Sequence, residues 1–142
     1  MTAKVLNGRE VSKQILAEVK DQVSKFAADY KVTPTLALFR IGDDPASVSY
    51  AKMIEKTCNK TGIIFESHTL PSDASEDEVV RLMRKLNDDD NVHGIILQQP
   101  LPETIRPEVV IEAMDPAKDI DGAHPLNAGR LARAAFVDRP QN

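Results

Sequence analysis

The sequence predicts a three-layer α/β/α domain on a mostly parallel sheet. Amphipathic helical segments alternate with short strand candidates along most of the chain. Two of those candidates are near-continuous apolar runs, the pattern of strands covered on both faces. Helices of roughly 10–15 residues separate them, which suits parallel pairing through right-handed crossovers.

Each element has a local reason. After the turn-like Asn7-Gly8, Val11, Ile15, Leu16, Val19, Val23 and Phe26 recur at helical spacing, which predicts a helix over residues 9–29. Thr33-Pro34 breaks it, and residues 35–41 form an apolar run closed by Gly42, a buried strand. Residues 42–47 make a loop in which Ser47 is placed to cap the next helix. That helix runs to about residue 60 and stops at Gly62, a residue suited to a left-handed C-terminal position. Residues 63–69 are a second strand candidate. Ser75 and Glu78 have capping-box spacing ahead of an apolar stripe of Val79, Leu82, Met83 and Leu86. The acidic stretch 87–91 ends that helix, residues 92–97 give a third buried strand, and Pro107 opens a short helix over 107–114. The last dozen residues read as the start of a linker, so the domain is placed at 1–130 and a linker or tail at 131–142.

Composition narrows the class. A chain of 142 residues with 42% hydrophobic and 28% charged residues suits one globular domain. The net charge of -4, with no Lys/Arg block, argues against nucleic acid or an anionic membrane as partner. No apolar run approaches the ~20 residues of a membrane span, and the N-terminus carries no long apolar stretch of a signal peptide. The single cysteine, Cys58, excludes an internal disulfide and suits a reducing, cytoplasmic location.

In an open parallel sheet, ligands sit beyond the carboxyl ends of the strands. Residues 42–50, 98–102 and 115–130 fall there, each polar and stiffened by proline. Each also has a plainer reading: residues 42–47 as turn and cap, Tyr50 as a packing aromatic, Asp88 to Asp90 as a solvated turn. His68, His93 and His124 are scattered, so no metal site is expected. Cys58 has no CxxC partner and reads as a small core or boundary residue. Neither G-x-G-x-x-G nor G-x-x-x-x-G-K-[ST] occurs, so the chain has no phosphate loop.

Taken together, Gly42-Asp-Asp-Pro-Ala-Ser47 with Tyr50, Gly94-Ile-Ile-Leu-Gln-Gln-Pro-Leu-Pro102, Lys118-Asp-Ile-Asp-Gly-Ala-His-Pro-Leu-Asn-Ala-Gly-Arg-Leu131 and the opening Leu6-Asn-Gly-Arg-Glu10 resemble a known family. It is the bifunctional methylenetetrahydrofolate dehydrogenase/methenyltetrahydrofolate cyclohydrolase family, of which this chain resembles only the N-terminal folate-binding domain. The resemblance implies oxidation of 5,10-methylenetetrahydrofolate with NADP or NAD, then hydrolysis to 10-formyltetrahydrofolate, in one-carbon metabolism and purine biosynthesis. Tetrahydrofolate is the implied substrate, and the dinucleotide belongs to a C-terminal Rossmann domain absent from this chain. A homodimer is implied for the full-length family member.

By the same resemblance, Tyr50 lies against the folate rings, Asp121 accepts from the pterin amino and ring N–H groups, and Gln98 holds a catalytic lysine or a water. Ser47, Leu97, Gln99 and Pro100 complete the implied substrate-binding set. The family pattern after the tyrosine is Y-[VI]-x-x-K-x-K, whereas this chain reads Tyr50-Ala-Lys-Met-Ile-Glu-Lys56. The catalytic lysine position is Ile54. At about 100° per residue it returns to within about 40° of the face of Tyr50, while Lys52 and Lys56 point elsewhere. The alternative is therefore a folate-binding pseudoenzyme without cyclohydrolase activity.

Overall fold

The computed structural model describes residues 7–137. Leu6, in the opening motif, and residues 138–142, in the expected tail, lie outside them. The described chain runs α1 (Gly8–Tyr30), β1 (Thr35–Ile41), α2 (Pro45–Thr61), β2 (Ile64–Leu70), α3 (Glu76–Asp88), β3 (Gly94–Leu97), α4 (Pro107–Glu112) and α5 (Pro125–Val137). The three strands are parallel in the order β2-β1-β3, with Phe39 of β1 beside both His68 of β2 and Leu97 of β3. The expected α/β architecture is present.

The alternation of β1 divides the layers. Ala37, Phe39 and Ile41 join Val79, Met83 and Leu86 of α3, Val110 of α4, and Ile95 and Leu97 of β3 in the buried core. Leu36, on the opposite face, meets Leu16 and Val19 of α1 and Met53 and Cys58 of α2 around an apolar cavity. Cys58 is buried, as read from the sequence. By contrast, α1 contributes no fully buried residue, and Val11, Ile15 and Phe26 of its apolar stripe remain exposed.

Helix ends follow local chemistry. The capping box at α3 is complete: the Glu78 N–H donates to Ser75 Oγ, and the Ser75 N–H donates to Glu78 Oε2 at 2.8 Å. Gly62 ends α2 at φ 84°, a left-handed conformation that a side chain would strain. The expected cap of α2 is corrected. Asp44 is the N-cap and Ser47 is the donor, its N–H 2.8 Å from Asp44 Oδ2. Pro45, which favours the first helical position, fixes this register.

Residues from 131, read as linker, are helical as far as Val137, within α5. The loop before it is anchored at several points. Ile95 bridges Asp119, and the Ile95 N–H donates to Lys118 O. The Lys118 ammonium donates to Leu86 O, Asn87 O and Asp89 O at the C-terminus of α3, where carbonyls lack helical partners. A Cβ on Gly94 would stand 2.7 Å from Ile120 Cγ2, so a side chain there requires Ile120 to shift.

Candidate folate site

The carboxyl ends of β1 and β3 open onto a cavity of about 500 Å³. All seven residues singled out as substrate-binding line it. Ser47 and Tyr50 come from α2, Leu97, Gln98, Gln99 and Pro100 from β3 and its exit, and Asp121 from the loop before α5. Three separated segments thus converge because parallel strands deliver their exits to the same edge. Gln99–Pro100 is a cis peptide bond. Asp44 also lines the cavity, a residue that the sequence reading passed over in favour of Ser47. Pro45 was the signal that could have found it.

Gln98 is the most enclosed of the polar lining groups, at 6% exposure. Its Nε2 donates to Ser47 O at 2.9 Å, tying the exit of β3 to the first turn of α2. That bond also sets the amide orientation, since a carbonyl accepts only from the nitrogen end. The other end, Oε1, is buried and has no hydrogen-bond partner among the described residues. An unpaired buried acceptor typically costs about 1–3 kcal/mol.

The electrostatics are one-sided. The Asp44 carboxyl is held below its ordinary value by the N–H and hydroxyl of Ser47 and by the Ala46 N–H, against opposing desolvation. The carboxyl of Asp121 is pushed up by desolvation and then by the charge of Asp119. For Asp119 desolvation works in the same upward direction, but hydrogen bonds outweigh it and lower the value. The His124 N–H donates at 2.9 Å, Asn127 Nδ2 at 3.0 Å and the Ala123 N–H at 3.2 Å. Asp119 thereby holds the loop that carries Asp121. Among the described residues, no lysine, arginine or histidine lines the cavity.

Ile54, one turn beyond Tyr50, lines the apolar α1–α2 cavity of about 280 Å³ instead. Lys52 lies at a third depression with Arg40 and Glu55. The histidines have structural roles: His93 Nδ1 accepts from the Thr35 N–H, His124 Nδ1 from the Leu126 N–H, and His68 contacts Glu66. No group of three or more His, Cys, Asp or Glu suited to a metal occurs among the described residues. None of the described helices is long and apolar enough to cross a membrane.

Residues 6–121 match the family described as tetrahydrofolate dehydrogenase/cyclohydrolase, catalytic domain. The chain belongs to this family. It is 41% identical over 140 residues to the bifunctional protein FolD of Rhodopseudomonas palustris strain TIE-1, covering 99% of this chain and 48% of that protein. Among solved structures, the bifunctional FolD methylenetetrahydrofolate dehydrogenase/cyclohydrolase of Campylobacter jejuni superposes with a TM-score of 0.86 at 36% identity, over 90% of this chain and 45% of that one. The Trypanosoma brucei methylenetetrahydrofolate dehydrogenase-cyclohydrolase, solved with NADP cofactor and an inhibitor, gives 0.86 at 30% identity, over 92% and 45%. This chain spans about half the length of the curated relatives it matches. The cavity is lined from three of the segments that carry the resemblance, residues 42–50, 94–102 and 118–131.

Proposed function

We propose that this chain is the folate-binding half of an enzyme that oxidises 5,10-methylenetetrahydrofolate to the methenyl form with NADP or NAD and hydrolyses it to 10-formyltetrahydrofolate. The observation that carries the reading is the meeting of Tyr50, Gln98 and Asp121, from three distant segments, around one cavity. On this reading Asp121 presents two acceptor oxygens to the pterin amino and ring N–H pair. Tyr50, about half exposed at 47%, offers its ring to the aromatic portions of the ligand. Gln98 ties the exit of β3 to α2 through Ser47 O, and Ser47, Leu97, Gln99 and Pro100 shape the wall.

The dinucleotide supplies or accepts hydride when bound. The residues present do not fit it, because the sequence contains no glycine-rich phosphate loop. No step through it is assigned to this chain. The full-length protein is proposed to be a cytoplasmic homodimer without a nucleic-acid partner.

The second reading, a folate-binding pseudoenzyme, is favoured by Ile54. An alkyl side chain cannot move a proton, and losing such a group costs about 10²–10⁴-fold in rate. Calorimetry with tetrahydrofolate tests the first level: the chain binds, and Asp121→Ala weakens binding by roughly ten- to a hundred-fold, the worth of charged hydrogen bonds. Absence of binding overturns both readings. In the full-length protein, Ile54→Lys raises cyclohydrolase turnover if the remainder of the cleft is intact, and wild-type turnover at ordinary family rates overturns the pseudoenzyme reading.

A further inference from the structure

Asp121 lies outside the helices and strands, in the loop between α4 and α5, so contacts other than regular structure set its position. The loop is pinned on both sides of it. Downstream, the Asp119 carboxylate accepts from the Ala123 and His124 N–H groups and from Asn127 Nδ2, which ties the loop to the start of α5. Upstream, the anchor is the last turn of α3. Asn87 accepts from the Asp115 N–H at 2.9 Å and donates to Ala113 O at 2.8 Å. The Lys118 ammonium then reaches Leu86 O, Asn87 O and Asp89 O at 3.0, 2.6 and 2.8 Å. Carbonyls at the end of a helix carry partial negative charge, and a cation satisfies them better than a neutral donor. The main chain of the same residue is clamped as well, since the Ile95 N–H of β3 donates to Lys118 O at 2.7 Å.

A lysine beside Asp119 and Asp121 invites two simpler readings, a counter-ion for those acids or a replacement for the amine missing at Ile54. The structure gives it neither place. Three carbonyls consume all three ammonium donors. Among the described residues, no ion pair joins Lys118 to either acid, and Lys118 does not line the folate cavity.

We propose that Lys118 is a positioning residue of the folate site: by joining the C-terminus of α3 to the loop, it sets where the Asp121 carboxylate meets the pterin donors, and it touches no ligand itself. The inference rests on the folate reading of the site. A carboxylate takes a pair of donors well only when both oxygens are aimed at them. A loop released from α3 must be ordered again at each binding event, and that ordering is subtracted from the affinity. Lys118→Met keeps most of the alkyl stem and removes the donors, so it separates the tether from the packing.

The test is a double-mutant cycle on the 142-residue chain, read by calorimetry with tetrahydrofolate: Lys118→Met, Asp121→Ala and the two together. Lys118→Met is expected to weaken binding about tenfold, within the loss that Asp121→Ala itself causes. Added to Asp121→Ala, it is expected to cause no further loss, because the group it positions is already gone. A purely structural role weakens both backgrounds alike, so additive losses overturn the inference, as does unchanged affinity in Lys118→Met. Lys118→Gln retains an amide donor and is expected to recover part of the affinity; it carries the cycle if Lys118→Met does not fold. These outcomes leave the folate reading standing. Failure of the wild-type chain to bind tetrahydrofolate overturns that reading, and the inference falls with it.

Discussion

At the scale of single residues, the site is governed by how acids are held. On the proposed reading Asp121 is ionised when it accepts from a donor pair, yet desolvation and Asp119 raise its pKa above the ordinary 3.8. Folate affinity is therefore expected to be full at neutral pH and to fall as pH drops through that raised value. Calorimetry between pH 7 and pH 4 (a span chosen to bracket a raised carboxylate) shows the loss beginning above 3.8, and Asp119→Asn moves it to lower pH. Tyr50, Gln98 and Asp121 were legible because each sits in a motif that resembles a known family. Local spacing alone left Tyr50 as a packing aromatic. Asp44 is not legible from local pattern because more than one side chain of the 42–47 loop is of a capping type, and only Pro45 at the first helical position marks the residue before it. The position of Ile54 was illegible for another reason. A helical wheel gives an angle about one axis, but which neighbour covers that angle depends on α1 packing from elsewhere in the chain.

At the scale of elements, start and stop chemistry was the legible part. Each strand expected from its apolar run is present, shifted by at most two residues at either end. The capping box of α3 was read directly, and Ser75→Ala is expected to destabilise the chain by about 0.5–2 kcal/mol in urea unfolding. The first turn of α3 also holds Glu76. Its carboxylate accepts from Arg106 Nη2 at 2.5 Å and from Arg106 Nε and the Arg106 N–H at 3.0 Å, pinning the segment before α4. Hydrogen bonding to Arg106 lowers the Glu76 pKa from 4.5 to about 2. Its folded value lies below the unfolded one, so its stabilisation is present above 4.5 and is lost as pH falls toward 2. Glu76→Gln accordingly flattens the acid limb of a stability-against-pH curve in that window. The helix α5 was not legible. Its start is built from Asp119 and His124, whose hydrogen bonds reach across the loop rather than follow a local sequence pattern.

At the scale of the whole molecule, stability is uneven between the layers. The α3 side of the sheet holds the main core, whereas α1 buries none of its residues fully. Regions with few buried contacts open at lower free energy. Native-state hydrogen exchange is expected to show the amides of α1 exchanging well before those of α3 and β1, and equal protection would contradict this layering. The sheet's edges are also the frame on which the ligand groups hang, and here the crowding at Gly94 has a wider meaning. Because Ile120 rests against that bare α-carbon, the single methyl of an alanine would act as a wedge beneath the neighbour of Asp121. On the proposed reading, Gly94→Ala is expected to weaken folate binding, measured by calorimetry, without changing any group that lines the cavity. Loss of recognition could thus begin inside a strand, behind the wall, at a place no ligand reaches.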